Sequence, residues 1–234
     1  MRSKSEKTKK LLKMGTGDGA NYKPYIQVGE FGSLGTSACV IDYKTGRVVH
    51  LLSQAEVMAW YQLRWDDNNL DIKEQYPLSL EETLKISEKY GLRHPQKNNE
   101  YKRITTDLLI HRKDGDVALS IKANTSKMNV NSLYIEMKYW ESKGVIWKIV
   151  QKKDLSQVRY QNIRDVVHFY NINEFPDLIT FVKYLIAHKH IKVDMDTRLD
   201  YQQIIKDHEM EIEKWKTLAL ISGTSSDAMK TNTR

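Results

Sequence analysis

The 234-residue chain has one cysteine, Cys39, and only four prolines and four phenylalanines. A single thiol excludes an intramolecular disulfide and fits a reducing compartment. Nothing around Cys39 suggests a Cys-His hydrolase, so a buried thiol is the expected reading. No apolar run approaches the roughly 18 residues needed to cross a bilayer, and no signal-peptide core follows the basic start. A cytoplasmic location is the expectation. Zinc lacks ligands, because one cysteine and the His188-Lys189-His190 pair cannot supply four well-spaced donors. Acids are in deficit as well: 30 Asp and Glu stand against 37 Lys and Arg, for a formal charge of +7. That excess points to a polyanionic partner, nucleic acid first. Hydrophobic content of 40% and charged content of 29% describe a globular chain. Its length suits one generous domain with a small appendage.

The positive charge is unevenly spread. Arg2, Lys4, Lys7, Lys9, Lys10 and Lys13 face one acid, Glu6, so residues 1–20 are expected to form a basic flexible arm. Gly15-Thr16-Gly17-Asp18-Gly19 reads as a flexible joint and not as a dinucleotide fingerprint, since no strand precedes it. Tyr43 to Arg47 reads as a turn between strands, the second ending near Leu52. Ser53 then caps a helix on which Val57, Trp60, Tyr61 and Trp65 recur at helical spacing. Leu70 to Tyr76 alternates as a half-buried strand, and Leu80 to Tyr90 reads as a helix stopped by Gly91. A helix around Asn131 to Lys143 and a strand over Val145 to Val150 follow. Strands interleaved with helices indicate an α/β core with a mixed sheet over residues 21–160. Helical patterns over 162–170, 174–188 and 199–220 suit a small helical or winged-helix domain spanning 161–222. The polar residues 223–234 are expected to be a disordered tail. The five tryptophans are expected to pack in the core rather than stack on bases.

The chemistry centres on two short apolar runs, Thr106 to Ile110 and Ala118 to Lys122, which flank Asp114-Gly115. An Asp-Gly pair between such runs signals a two-residue β-hairpin turn. Counting outward from that turn brings Asp107 opposite Lys122, with Ser120 on the same face as Lys122. An acid beside a lysine at the end of an apolar hairpin suits the centre of a metal-dependent nuclease, or else a cross-strand ion pair. Phosphodiester hydrolysis needs a second carboxylate, because Mg²⁺ is commonly held by one or two of them. Glu56 is the candidate. It has a competing role, since Ser53-Gln54-Ala55-Glu56 is a capping box.

Several separated motifs bear on that choice. His50-Leu51-Leu52-Ser53-Gln54-Ala55-Glu56, Asp71 to Leu78, Thr105-Thr106-Asp107, Ile121-Lys122, Tyr139-Trp140 and Val145-Ile146-Trp147 occur in order. Together they resemble the TnsA endonuclease family of heteromeric transposons, from about Tyr22 to Ile163. The resemblance implies a restriction-endonuclease-like core with Glu56, Asp107 and Lys122 as catalytic residues. It implies metal binding by Glu56, Asp107 and the main-chain carbonyl of Ile121, with Mg²⁺ as cofactor and Mn²⁺ as substitute. Ser120 stands where the family usually has glutamine, and a serine hydroxyl lacks the reach of that amide. Glu136 and Asp66 fall on family acidic positions and are supporting candidates.

The implied function is cleavage of the 5′, non-transferred strands at transposon ends. The implied partners are DNA, a TnsB-like DDE transposase and a TnsC-like ATPase regulator, and the active complex would associate with the nucleoid. Two other functions stay open on the sequence: a stand-alone restriction or repair nuclease of the same fold, and a catalytically silent DNA-binding assembly subunit.

Overall fold

The computed structural model describes residues 4–30, 37–123 and 129–221. The chain divides into two units, Met1–Leu155 and Ser156–Arg234. The first contains α1 (Glu6–Leu11), the ribbon β1 (Ala38–Ile41) and β2 (Val48–Leu51), α2 (Gln54–Trp65), β3 (Asn69–Pro77) and α3 (Leu80–Lys89). A short hairpin of β4 (Gln96–Lys97) and β5 (Glu100–Tyr101) follows, then β6 (Thr105–Arg112), β7 (Val117–Lys122), α4 (Val130–Ser142) and β8 (Ile146–Gln151).

The central sheet has the order β3-β6-β7-β8. β3, β6 and β7 are antiparallel neighbours, whereas β8 runs parallel to β7. The mixed sheet expected from the sequence is therefore present, with α4 as the crossover that a parallel pair requires. On one face Leu109 and Ala118 pack with Ile135, Tyr139 and Trp140 of α4 and with Leu78 and Ile104. On the other, Leu108 and Ile110 are buried and α2 lies against β3 and β7. Full burial of one such aliphatic side chain contributes about 1.5–3 kcal/mol.

The β6–β7 turn differs from the expectation. Leu108 pairs with Leu119 and Ile110 with Val117, and Gly115 N–H donates to Arg112 O. The central turn residues are thus Lys113 and Asp114, because pairing of Asn69 with Arg112 keeps β6 extended. Extending this register brings Asp107 level with Ser120, not Lys122. A shift of two preserves the side-chain alternation, so the expected faces survive.

The basic start is not a free arm over its described residues. Ser5 caps α1, and Lys9 is buried with its Nζ donating to Tyr25 O at 2.8 Å and lying 3.4 Å from Glu30. An acid and a carbonyl compensate the burial of that ammonium. The glycine run is likewise packed: a Cβ on Gly15 would lie 2.3 Å from Pro77 Cγ, so only glycine lets this turn sit on the end of β3. Cys39 is exposed and not buried, because β1 belongs to a separate two-stranded ribbon. Its Sγ lies 3.5 Å from His50 Nδ1.

In the second unit, α5 (Gln157–Val167), α6 (Leu178–Ala187), α7 (Tyr201–Asp207) and α8 (Glu209–Ile221) are helical, and no strand occurs among its described residues. Of the two forms expected there, the helical one is found. α5 starts earlier than its apolar pattern suggests because Ser156 caps it. The expected tail, 223–234, lies outside the described residues.

Candidate active site

The paired part of β6 and β7 ends at Leu108–Leu119, short of both Asp107 and Lys122. Beyond it the Asp107 carboxylate takes the place of a ladder carbonyl. Its Oδ2 accepts the Ile121 N–H at 2.6 Å and Lys122 Nζ at 2.9 Å. The two side chains are 17% and 26% exposed, which keeps the pair at the surface end of the sheet and open to a substrate. Asp107 Oδ1 has no hydrogen bond among the described residues.

Glu56 enters from the first turn of α2. Its N–H donates to Ser53 Oγ, its Oε1 accepts the Ser53 hydroxyl at 2.9 Å, and its Oε2 accepts Leu52 N–H at 2.9 Å. The capping role is real, although the returned bond goes to Leu52 rather than to the Ser53 amide. The cap bonds hold the carboxylate in place, and Asp107 is near enough for its charge to act on it. Burial, and then the Asp107 charge, push the Glu56 carboxyl up to about 7.

Glu136 of α4 is the third acid. Its carboxylate bridges the two strands, accepting Thr106 Oγ1–H at 2.8 Å on one oxygen and Ser120 Oγ–H at 2.6 Å on the other. Burial, and then Asp107, push it up to about 7. Ser120 is therefore directed to Glu136, a partner that its short hydroxyl reaches. For Lys122, burial favours the neutral amine, but the Asp107 charge and hydrogen bond, with Glu136 and Glu56, outweigh it and raise the pKa.

Asp66 is not brought to this site. It caps the far end of α2, accepts Asn68 N–H, and stands about 15 Å along the helix from Glu56 at 1.5 Å per residue. Two contributors were missed by sequence reasoning. Gln75 donates through Nε2 to Glu56 Oε2 at 3.2 Å and accepts from Thr105 Oγ1 at 3.2 Å. Its φ of +49° is a left-handed conformation inside a strand, which no alternation pattern announces. Thr106 accepts Trp140 Nε1–H at 2.7 Å while donating to Glu136. The run Thr105-Thr106-Asp107 was its only signal.

Three carboxylates thus surround one ammonium, and Asp107 disfavours ionisation of both glutamates. That negative excess suits a divalent cation. Among the described residues no group of three or more His, Cys, Asp or Glu is arranged to hold a metal. The donor set on offer is a carboxylate pair, Glu56 and Asp107, which fits an ion that completes its shell with water and phosphate oxygens.

Residues 66–152 match the family model for the TnsA-like endonuclease N terminal region. That span includes Asp107, Lys122 and Glu136 and leaves out Glu56. The chain is also 35% identical over 155 residues to the transposon Tn7 transposition protein TnsA of Escherichia coli. The alignment covers 64% of this chain and 57% of that relative, so the chain spans a little over half the length of the protein it matches. With the mixed sheet and the acid–lysine centre in place, residues 66–152 carry a TnsA-like endonuclease N-terminal region, and the chain is similar to TnsA over 155 residues.

Proposed function

We propose that this chain is the endonuclease subunit of a heteromeric transposase, hydrolysing the 5′ strands at transposon ends in cut-and-paste transposition. The observation that carries the reading is the juxtaposition of Asp107 and Lys122 at the open end of the β6–β7 pair, with the carboxylate of Glu56 electrostatically coupled to Asp107.

Asp107 and Glu56 would hold Mg²⁺, with the Ile121 carbonyl as a further hard oxygen. When bound, the ion supplies Lewis-acid polarisation of the phosphate and a lowered pKa for attacking water. Lys122, held charged by its acid neighbours, stabilises the extra negative charge on the phosphorane-like centre and orients the water. Gln75 and the capping bonds fix Glu56, so no side-chain search precedes reaction. Basic surface groups dock the DNA through phosphates, which makes affinity salt-dependent. A TnsB-like transposase that cuts and joins the 3′ ends, and a TnsC-like regulator, would be the partners.

The test is strand-resolved cleavage of a cognate transposon end with Mg²⁺ and both partners, comparing wild type with Asp107→Ala. Loss of 5′ breaks with persistent 3′ joining supports the reading. Equal products from both proteins would sink it in favour of a silent assembly subunit. Specific cutting without a transposase would favour a stand-alone nuclease.

A further inference from the structure

Charge is unevenly spread along the central sheet. One end, formed by the α2–β3 loop, the start of β3 and the β6–β7 turn, carries Asp66, Asp67, Asp71, Asp114 and Asp116, of which Asp67, Asp114 and Asp116 are paired with Lys44, Arg112 and His111. The other end is where β3 finishes at Pro77, β6 begins at Thr105, and β7 and β8 finish at Lys122 and Gln151. It is the end that holds Asp107 and Lys122.

Two groups of exposed lysines flank this second end. On the β3 side, the turn after α1 rests on Pro77 through Gly15, and Arg103 ties the β4–β5 hairpin to α1 by an ion pair with Glu6. Lys7 and Lys10 project from α1, and Lys97 and Lys102 from the hairpin. The hairpin turns through Asn98 and Asn99, both at positive φ, and so is short and tightly closed. On the β8 side, Lys152 and Lys153 follow directly on Gln151, which is level with Lys122. Of these six, only Lys102 has an ion-pair partner among the described residues, Glu100 at a loose 3.9 Å.

We infer that the two lysine groups form a divided phosphate-binding surface, one on each side of the catalytic acids, so that a DNA duplex lies across the end of the sheet. The inference rests on the nuclease reading and adds where the substrate is held. Charge complementarity selects the occupant: six exposed lysines, five of them without an acid partner among the described residues, suit a polyanion. Closeness to Asp107 argues for the scissile duplex rather than a remote anchoring segment. Each flank contacts the backbone and not base edges, so this surface confers affinity with little sequence preference.

The test uses the full chain and a fluorescein-labelled duplex of a transposon end, with anisotropy followed across salt. Three double or single reversals are compared: Lys97→Glu/Lys102→Glu, Lys152→Glu/Lys153→Glu, and Lys113→Glu at the opposite end of the sheet. Each double variant is expected to weaken binding by roughly 10–100-fold and to flatten the plot of log affinity against log salt by about 2. Lys113→Glu should bind as wild type. An equal loss from Lys113→Glu would reduce the effect to net charge and overturn the inference. So would unchanged binding by both double variants, which would assign these lysines to a protein partner. Lys→Gln versions, with melting temperatures, guard against misfolding. Asp107-dependent cleavage is scored in parallel, so the nuclease reading can stand while this surface fails, or fall by itself.

Discussion

Lys122 Nζ sits 2.9 Å from Asp107 Oδ2 although the strand register places Ser120, not Lys122, level with Asp107. The long lysine side chain spans the offset because the strands have ceased to pair. Lys122→Ala is expected to lower single-turnover cleavage by about 10²–10³-fold, as loss of one group that stabilises transition-state charge does. Duplex affinity should change little. Lys122→Arg should not restore the rate, since a planar guanidinium cannot repeat a compact point charge at this position. Full activity in either variant would remove Lys122 from the chemistry.

The acids give a second expectation, with a definite sign. Glu56 and Glu136 are pushed from 4.5 up to about 7 in the folded state. Between those values the native state binds more protons than the unfolded one, so stability falls as pH rises through that window. These two carboxyls should therefore supply stability near pH 5 that is gone near pH 8, read in the protein without metal as the difference in melting temperature between wild type and Glu136→Gln at the two pH values. Glu136→Gln should flatten this slope and raise stability at pH 8 by on the order of 1–3 kcal/mol. Mg²⁺ should stabilise the wild type more at pH 8 than at pH 5. Parallel pH profiles of melting temperature for wild type and Glu136→Gln without metal would contradict the assignment.

Much of this was legible in local patterns. Ser53 marked the start of α2, Gly91 the end of α3, and alternation gave β3. What stayed hidden depends on contacts distant in sequence. The two-residue turn moved because Asn69 of β3 holds Arg112 extended, a constraint that lies outside the hairpin itself. Lys9 was indistinguishable from its solvated neighbours until Glu30 and Tyr25 were folded against it. Glu56 invited a choice between cap and catalyst. The structure shows the cap, through bonds from Ser53 and Leu52, and leaves the same carboxylate within reach of the Asp107 charge, so the two roles are compatible in one side chain.

A buried ion pair steadies the approach to α2. Arg47 Nη1 lies 2.7 Å from Glu74 Oε1, Nη2 donates to Ile72 O at 3.0 Å, and the same Glu74 oxygen accepts His50 N–H. This ties β2 to β3 just before Ser53. Arg47→Met should destabilise by about 3–5 kcal/mol, because it strands a buried carboxylate. Replacing Glu74 by methionine in that background should recover part of the loss, since burial already pushes its carboxyl up. Equilibrium denaturation of the two variants decides the point; equal stabilities would mean the pair is not coupled.

The final prediction concerns the Glu136 bridge. Its two oxygens take hydroxyls from Thr106, next to Asp107, and from Ser120, two positions before Lys122. One side chain thereby sets the spacing of the strands where their own ladder has ended. Ser120→Ala and Glu136→Ala should each reduce kcat more than KM, as expected when reacting groups lose alignment and binding groups are untouched. The losses should not add, because either change breaks the same bond; a coupling of about 0.5–3 kcal/mol is expected from a double-mutant cycle. Glu136→Gln can still accept one hydroxyl and should retain more activity than Glu136→Ala. If the Ser120 and Glu136 losses instead sum, the two residues act independently and the bridge does not set the geometry of Asp107 and Lys122.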